Sequence, residues 1–400
     1  REGPVVHLGA SIASLIGYLF SLNNAARATV LGCGAAAAVS ASFNAPIAGV
    51  LFAHEVILGH YARAAFVPIA ISSVVATSIS RLWFGNNPAF FIPPYHIQSF
   101  WEFPAFALLG LTCALVAICF QFTASISERT ARNIPFPLWG RPVIGGVIVG
   151  GIAVFFPEIM GVGYEATDLA LKSQYTLQML LTLLILKAVA TSITLASRFG
   201  GGVFSPSLYM GAMAGGAFGI IAANLFPDLA SSNGLYAILG MGAVAASVLG
   251  APISTTLIVF ELTGGLTMSI ALFITIAVSY SVTQLVYGGS FFNWQLRTRG
   301  LVLHGGAHKR IVKSIRVEDF MRDLDEGERD RTFELSGEDP HLLMNDTLET
   351  ALRAFDAGDY SRIAVIDDWD QNRLIGWAYH VDALSAFNSD LIAVSDEEHR

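Results

Sequence analysis

Along the first 300 residues, apolar stretches recur near 5–20, 28–57, 64–83, 102–125, 142–156, 176–196, 203–225, 235–260 and 266–287, separated by brief polar punctuation. A helix needs about 20 apolar residues to cross a bilayer core. Several of these stretches are shorter than that or are cut by Gly and Pro, so the pattern predicts broken helices rather than a row of simple spans. Irregular backbone survives at membrane depth only where protein buries it or where it lines a polar cavity, so the breaks themselves point to a pathway. Beyond residue 300 the rhythm changes. From Ile315 onward a helix-period stretch (348–357), a strand (362–367), a turn, a second strand (373–379) and a helix from Asp382 follow one another. The expected organisation is a membrane domain over 1–300, a linker over 301–314 and a small α/β domain over 315–400.

Composition sharpens that division. The 400 residues are 54% hydrophobic and only 14% charged, with a mean hydropathy of +0.57, well above the globular range. Residues 301–400 carry 22 of the 31 acidic and 11 of the 23 basic side chains, so the net charge of −8 comes from the tail. An acidic tail argues against nucleic acid as a partner. Cys33, Cys113 and Cys119 lie in apolar stretches and have neither metal-ligand spacing nor the look of a disulfide framework, which makes them packing residues.

The membrane part repeats itself. "GCGAAAAVSASFNAPIAGVLFAHE" (32–55) and "GMGAVAASVLGAPISTTLIVFE" (240–261) share Gly-x-Gly-Ala, small residues, Ala-Pro and an apolar run closed by Glu; Pro46 to Glu55 and Pro252 to Glu261 both span nine residues. "REGP" (Pro4) and "VFSP" (Pro206) each set a proline at the start of a long apolar helix, 42 and 46 residues before the next marked proline. Two halves on one plan mark a transporter or channel, here expected to be built from inverted-topology repeats. By the same symmetry, on the order of 100 residues are expected upstream of Arg1. "VLGCGAAAA" (30–38) looks like a dinucleotide fingerprint, with Glu55 21 residues beyond Gly34. No strand–helix alternation surrounds it, and close helix packing through small residues explains it and its repeat mate together.

"GGGVFSPSLYMG" (200–211) carries the chemistry. A proline in the first turn after glycines marks a helix N-terminus whose N–H groups lack partners, and such an end favours anions. No Lys or Arg lies within it. Neutral donors bind an anion loosely enough to release it. Lys187, in "LILKAVA", is read either as a charge facing an inner vestibule or as a side chain snorkelling to the interface. No nucleophile–base pair, metal cluster or cofactor loop emerges, so an enzyme is not expected and no metal site is assigned.

These motifs resemble those of the CLC chloride channels and chloride/proton antiporters. "REGP" is similar to the end of that family's G-R/K-E-G-P motif, "GGVFSP" (201–206) to its G-G-I/V-F-x-P motif, and "NAPIAGVLFAHE" and "GAPISTTLIVFELTGG" to the helices that follow. The resemblance covers residues 1–300 in order and spacing; the family's G-S-G-I-P serine motif belongs upstream of Arg1. It implies a polytopic all-α fold, a homodimer in a lipid membrane, and chloride, with or without protons, as the transported species. No cofactor is required. Glu2 matches the gating glutamate; Gly202, Val203 and Phe204 match the central anion site, where the amides of Val203 and Phe204 hold the ion, and Arg1 and Gly3 flank the outer site. Two departures stand out. Val56 occupies the position of the antiporters' inner proton glutamate, with Glu55 beside it as a substitute, and "GGSFFN" (288–293) puts Phe292 where the family has an anion-binding tyrosine. The expectation is pH-sensitive, channel-like or weakly proton-coupled anion transport, with the antiporter as alternative.

The tail resembles a CBS repeat, through "YSRIAVID" and "RLIGWAYHVDAL". That resemblance implies a cytoplasmic domain with adenine nucleotide as a candidate ligand at Asp382, although Tyr379 stands where the usual pattern has a threonine. The multi-pass protein would then sit in the plasma membrane, or the inner membrane of a bacterium.

Overall fold

The computed structural model describes residues 2–86, 90, 95, 97, 99–133, 137–263, 268–298, 312, 315–324, 340–358, 360–367 and 374–399. The chain forms two units, 1–294 and 295–400. Arg1 lies outside the described residues.

The first unit is helical. In chain order come α1 (Glu2–Leu19), α2 (Asn24–Phe43), α3 (Pro46–Phe52) running on into a π-helical turn (Ala53–Leu58), α4 (Arg63–Phe84), α5 (Phe103–Asn133), α6 (Arg141–Phe155), α7 (Tyr164–Leu171), α8 (Leu177–Ala196), α9 (Phe204–Leu225), α10 (Asn233–Leu249), α11 (Pro252–Thr263), α12 (Ser269–Tyr287) and α13 (Phe291–Thr298). Six helical segments among the described residues are long and apolar enough to cross a membrane by length and composition. The apolar stretches at 28–57 and 235–260 are each broken, and for the same local reason. Asn44 and Gly250 take left-handed φ values of 55° and 75°, and their N–H groups close back onto Ser40 O and Ala246 O. An Ala-Pro then restarts the helix with proline where no N–H is needed.

The core is centred on α9 and α10. Every residue of α10 from Gly234 to Leu249 is buried, which a helix can manage only when neighbours cover all its faces. Glycines permit this crowding: a Cβ on Gly211 would run into Gly240 O. The fingerprint-like segment behaves in the same way, for Gly34 lies inside α2 with its backbone against Gly9 of α1. Small-residue packing, not a nucleotide loop, accounts for it. Of the three cysteines, Cys113 is buried in this core while Cys119 is exposed and packs in no core.

The second unit is a four-stranded sheet with helices on one face, among the described residues. β1 (Arg322–Asp323), β2 (His341–Leu343), β3 (Arg362–Ile366) and β4 (Leu374–Tyr379) lie in the order β1-β4-β3-β2, with β2 and β3 parallel and the other neighbours antiparallel. Ile363, Val365 and Ala378 point into a core shared with Leu348, Ala351 and Phe355 of α14 (Leu348–Gly358) and Ala383 of α15 (His380–His399).

Candidate functional site

The two proline-led helix starts, REGP and GGVFSP, about 200 residues apart in sequence, meet. A Cβ placed on Gly3 would lie 3.0 Å from Gly202 Cα, so the starts of α1 and α9 can approach this closely only with glycine on both sides. Glu2, the first residue of α1, is thereby delivered to the start of α9. Its side chain is 3% exposed. Ser205 Oγ donates to its Oε2 at 2.5 Å and Tyr164 Oη to its Oε1 at 2.8 Å. A buried carboxylate without donors would be prohibitively costly, and hydroxyl donors offset that cost.

Glu2, Gly3, Gly202, Phe204 and Ser205 line one cavity of about 690 Å³, together with Lys187. Val203 precedes α9 and is buried beside it. The Phe204 ring is wedged between Phe43 and Phe52, with ring centres 4.7 and 6.1 Å away. The expected site residues thus divide. Glu2, Gly3, Gly202 and Phe204 share the cavity, whereas Val203 is buried in the core and does not line it. Phe292 and Val56 do not line it: Phe292 is the second residue of the short α13, half-buried against the core and edge-on to Phe291, and Val56 sits half-buried in the π-helical turn.

Of the two settings expected for Lys187, snorkelling does not hold: the residue is 3% exposed. Its ammonium donates to Ile159 O at 2.8 Å and Gly161 O at 2.9 Å and stands 4.9 Å from the centre of the Tyr209 ring. It therefore brings positive charge to the cavity that holds Glu2, anchored by carbonyls and an aromatic face.

Glu55 and Glu261, the repeat-mate acids, cap each other's half. Glu55 accepts from Ile253 N at 3.1 Å, Ser254 N at 2.8 Å and Ser254 Oγ at 2.5 Å, at the start of α11. Glu261 accepts from Ile47 N at 3.1 Å and Ala48 N at 2.8 Å, at the start of α3. Each carboxylate meets the unpaired N–H groups and the positive end of a proline-led helix. Both oxygens of Glu55 are engaged in this way.

Three features carry no signal in the sequence motifs. Tyr164 lies outside every repeat, Ser205 looks like a spacer within "VFSP", and Glu102 stands alone. Glu102 is 3% exposed and accepts from Ser231 N, Ser231 Oγ and Tyr236 Oη, all at 2.6 Å. It ties the start of α5 to the start of α10.

In the second unit Asp382 is engaged by Arg322, whose Nε and Nη2 reach its two oxygens at 2.6 and 2.8 Å. The guanidinium holds the Asp382 carboxyl below the usual range and is itself raised by it. Arg322 also lies over the Tyr379 ring.

Residues 1–284 match the model of the family described as voltage gated chloride channel. The chain is 33% identical over 290 residues to chloride channel protein CLC-e of Arabidopsis thaliana, covering 66% of this chain and 41% of that protein. It is 29% identical over 300 residues to the H(+)/Cl(-) exchange transporter ClcA of Vibrio cholerae, covering 73% and 64%. The chain thus spans between 41% and 64% of the length of these relatives. Its fold is similar to the crystal structure of a slow cyanobacterial Cl-/H+ antiporter, with a TM-score of 0.69 at 24% identity over 74% of this chain and 71% of that one.

Proposed function

The chain belongs to the voltage gated chloride channel family, and from that membership we propose that it conducts chloride across a membrane by a path gated at Glu2. The observation that carries this reading is the junction of α1 and α9. A buried carboxylate stands where two glycine-flanked helix starts converge on a cavity, so an anionic side chain occupies ground that suits an anion. The amides of Val203 and Phe204, with Gly202 behind them, are assigned to the central ion, and Arg1 and Gly3 to its outer neighbour. Phe292 offers no hydroxyl, so central binding leans on the amides.

The path is read as channel-like or weakly proton-coupled. Uphill proton movement needs a titratable group on the inner side, and valine at 56 cannot serve. Glu55 is a poor substitute because both its oxygens cap α11. The antiporter remains the second reading, favoured by the name of the Vibrio cholerae relative. The reciprocal caps of Glu55 and Glu261 support inverted-topology repeats in the membrane domain. The exposed apolar side chains of α4, Leu82, Trp83 and Phe84 among them, suit lipid. We assign the protein no enzymatic activity and no cofactor, a homodimeric state, and a cytoplasmic CBS-like domain over 315–400. Asp382 would reach an adenine nucleotide there only by releasing Arg322.

The test is the complete protein in vesicles, with an imposed chloride gradient, no proton gradient, clamped potential and recorded internal pH. Chloride flux without stoichiometric proton flux is expected. Sustained uphill proton movement at a fixed ratio to chloride would restore the antiporter.

A further inference from the structure

The hydroxyls that reach Glu2 are placed by different means. Ser205 is carried by α9 itself, one residue after Phe204. Tyr164 is the first residue of α7 and follows a loop, 157–163, whose path is set from outside. Lys187 grips that loop at the carbonyls of Ile159 and Gly161. Gly161 and Gly163 take φ values of 59° and 83°, open to glycine at little cost, and a Cβ on Gly163 would meet the Tyr209 ring. The loop is thereby pressed onto Lys187 and Tyr209, and it ends with the Tyr164 hydroxyl 2.8 Å from Glu2.

We propose that Tyr164 and Ser205 form a hydroxyl latch that holds the Glu2 carboxylate in its charged, path-blocking form, with Lys187 as the positioning residue for the loop that carries Tyr164. This rests on the reading of Glu2 as the gate. A hydroxyl can donate to a carboxylate and can also accept from a carboxylic acid. The latch therefore favours the charged form without forbidding the neutral one, as a titrating gate requires. Lys187 is the one charged side chain besides Glu2 that lines the cavity among the described residues. The other titratable groups on the surrounding elements are His7 and Tyr18 on α1, Arg141 on α6, Glu158 on the loop, Glu165 and Asp168 on α7, Arg198 between α8 and α9, and Tyr209 on α9.

The experiment measures chloride efflux from vesicles holding the complete protein, from pH 4 to 8, for wild type, Tyr164→Phe and Ser205→Ala, each also in a Glu2→Gln background. Donors to a carboxylate favour its charged form, so their removal lets a proton bind at higher pH. The half-activation pH should rise by about one unit in each single variant, with no pH response left in the Glu2→Gln background. An unchanged half-activation pH in both single variants, while Glu2→Gln flattens the profile, overturns the latch and leaves the gate standing. Wild-type pH dependence persisting in Glu2→Gln takes down the gate and the latch together. Lys187→Met tests the positioning role: its shift should not add to that of Tyr164→Phe, and full additivity would mean that the lysine acts as a free charge instead.

Discussion

The α3/α11 joint and the α1/α9 joint use the same parts, a proline-led helix start and a glutamate arriving from elsewhere, yet they hold the carboxylate differently. At α3/α11, four backbone N–H groups reach Glu55 and Glu261, with one hydroxyl added at Ser254. At α1/α9, hydroxyls of Tyr164 and Ser205 reach Glu2. A backbone N–H only donates, so it suits a carboxylate best: a neutral acid accepts more weakly and brings an O–H that such a joint has no acceptor to receive. A hydroxyl can turn round. The first joint is suited to clamp two halves together, and the second to let go.

The comparison breaks most visibly at the clamp. Glu261→Ala or Glu55→Ala strands two N–H groups at a helix start, and removing such charge-assisted bonds should cost about 2–4 kcal/mol. The apparent Tm of the detergent-solubilised protein should fall by several degrees, whereas Glu2→Gln, at the releasable joint, should leave it nearly unchanged. Equal thermal losses at the two joints would erase the distinction between clamp and releasable joint. A smaller effect is expected from Val56→Glu, which adds a titratable group beside the clamp without touching its bonds. Proton movement accompanying chloride should appear in vesicles with recorded internal pH, while Tm stays within about 1 °C of wild type. Proton flux as low as in wild type would show that the π-helical turn does not face the water path.

The smallest effect is expected far from both joints. Asp382 and Arg322 pair in the open, where solvent screens them. The Asp382 carboxyl is held low by Arg322, so its contribution is present above the ordinary carboxylate range and fades as pH falls through the lowered value. Asp382→Asn should remove that dependence and shift the acid transition, followed by Trp377 fluorescence, only slightly. A large shift would mark the pair as a structural element rather than a surface one.

Much of the fold is legible because its causes are local. Helix breaks at 44–46 and 250–252 follow from an Asn or Gly able to turn left-handed and a proline able to restart the helix, and both are written in adjacent residues. In the tail, β3 at Arg362–Ile366 and β4 at Leu374–Tyr379 lie within one residue of the pattern, whereas β1 and β2, two and three residues long, are too short to show a period and have no counterpart in it. The internal repeat pairs Glu55 with Glu261 as counterparts. It does not say that each would reach into the other's half.

The sequence by itself determined where apolar helices run, where they break, and that two proline-led starts and two terminal acids recur. Each of these depends on neighbours a few residues away, and local backbone preference suffices to set them. Only the tertiary structure decided which donors each acid meets, because Glu2 and Ser205 are 203 residues apart, Glu2 and Tyr164 162, and Glu55 and Ser254 199. It also decided the fate of Lys187. A lysine in an apolar run suits an interface and a buried cavity equally well until the carbonyls that would satisfy its ammonium are in place, and those belong to a loop 26 and 28 residues earlier.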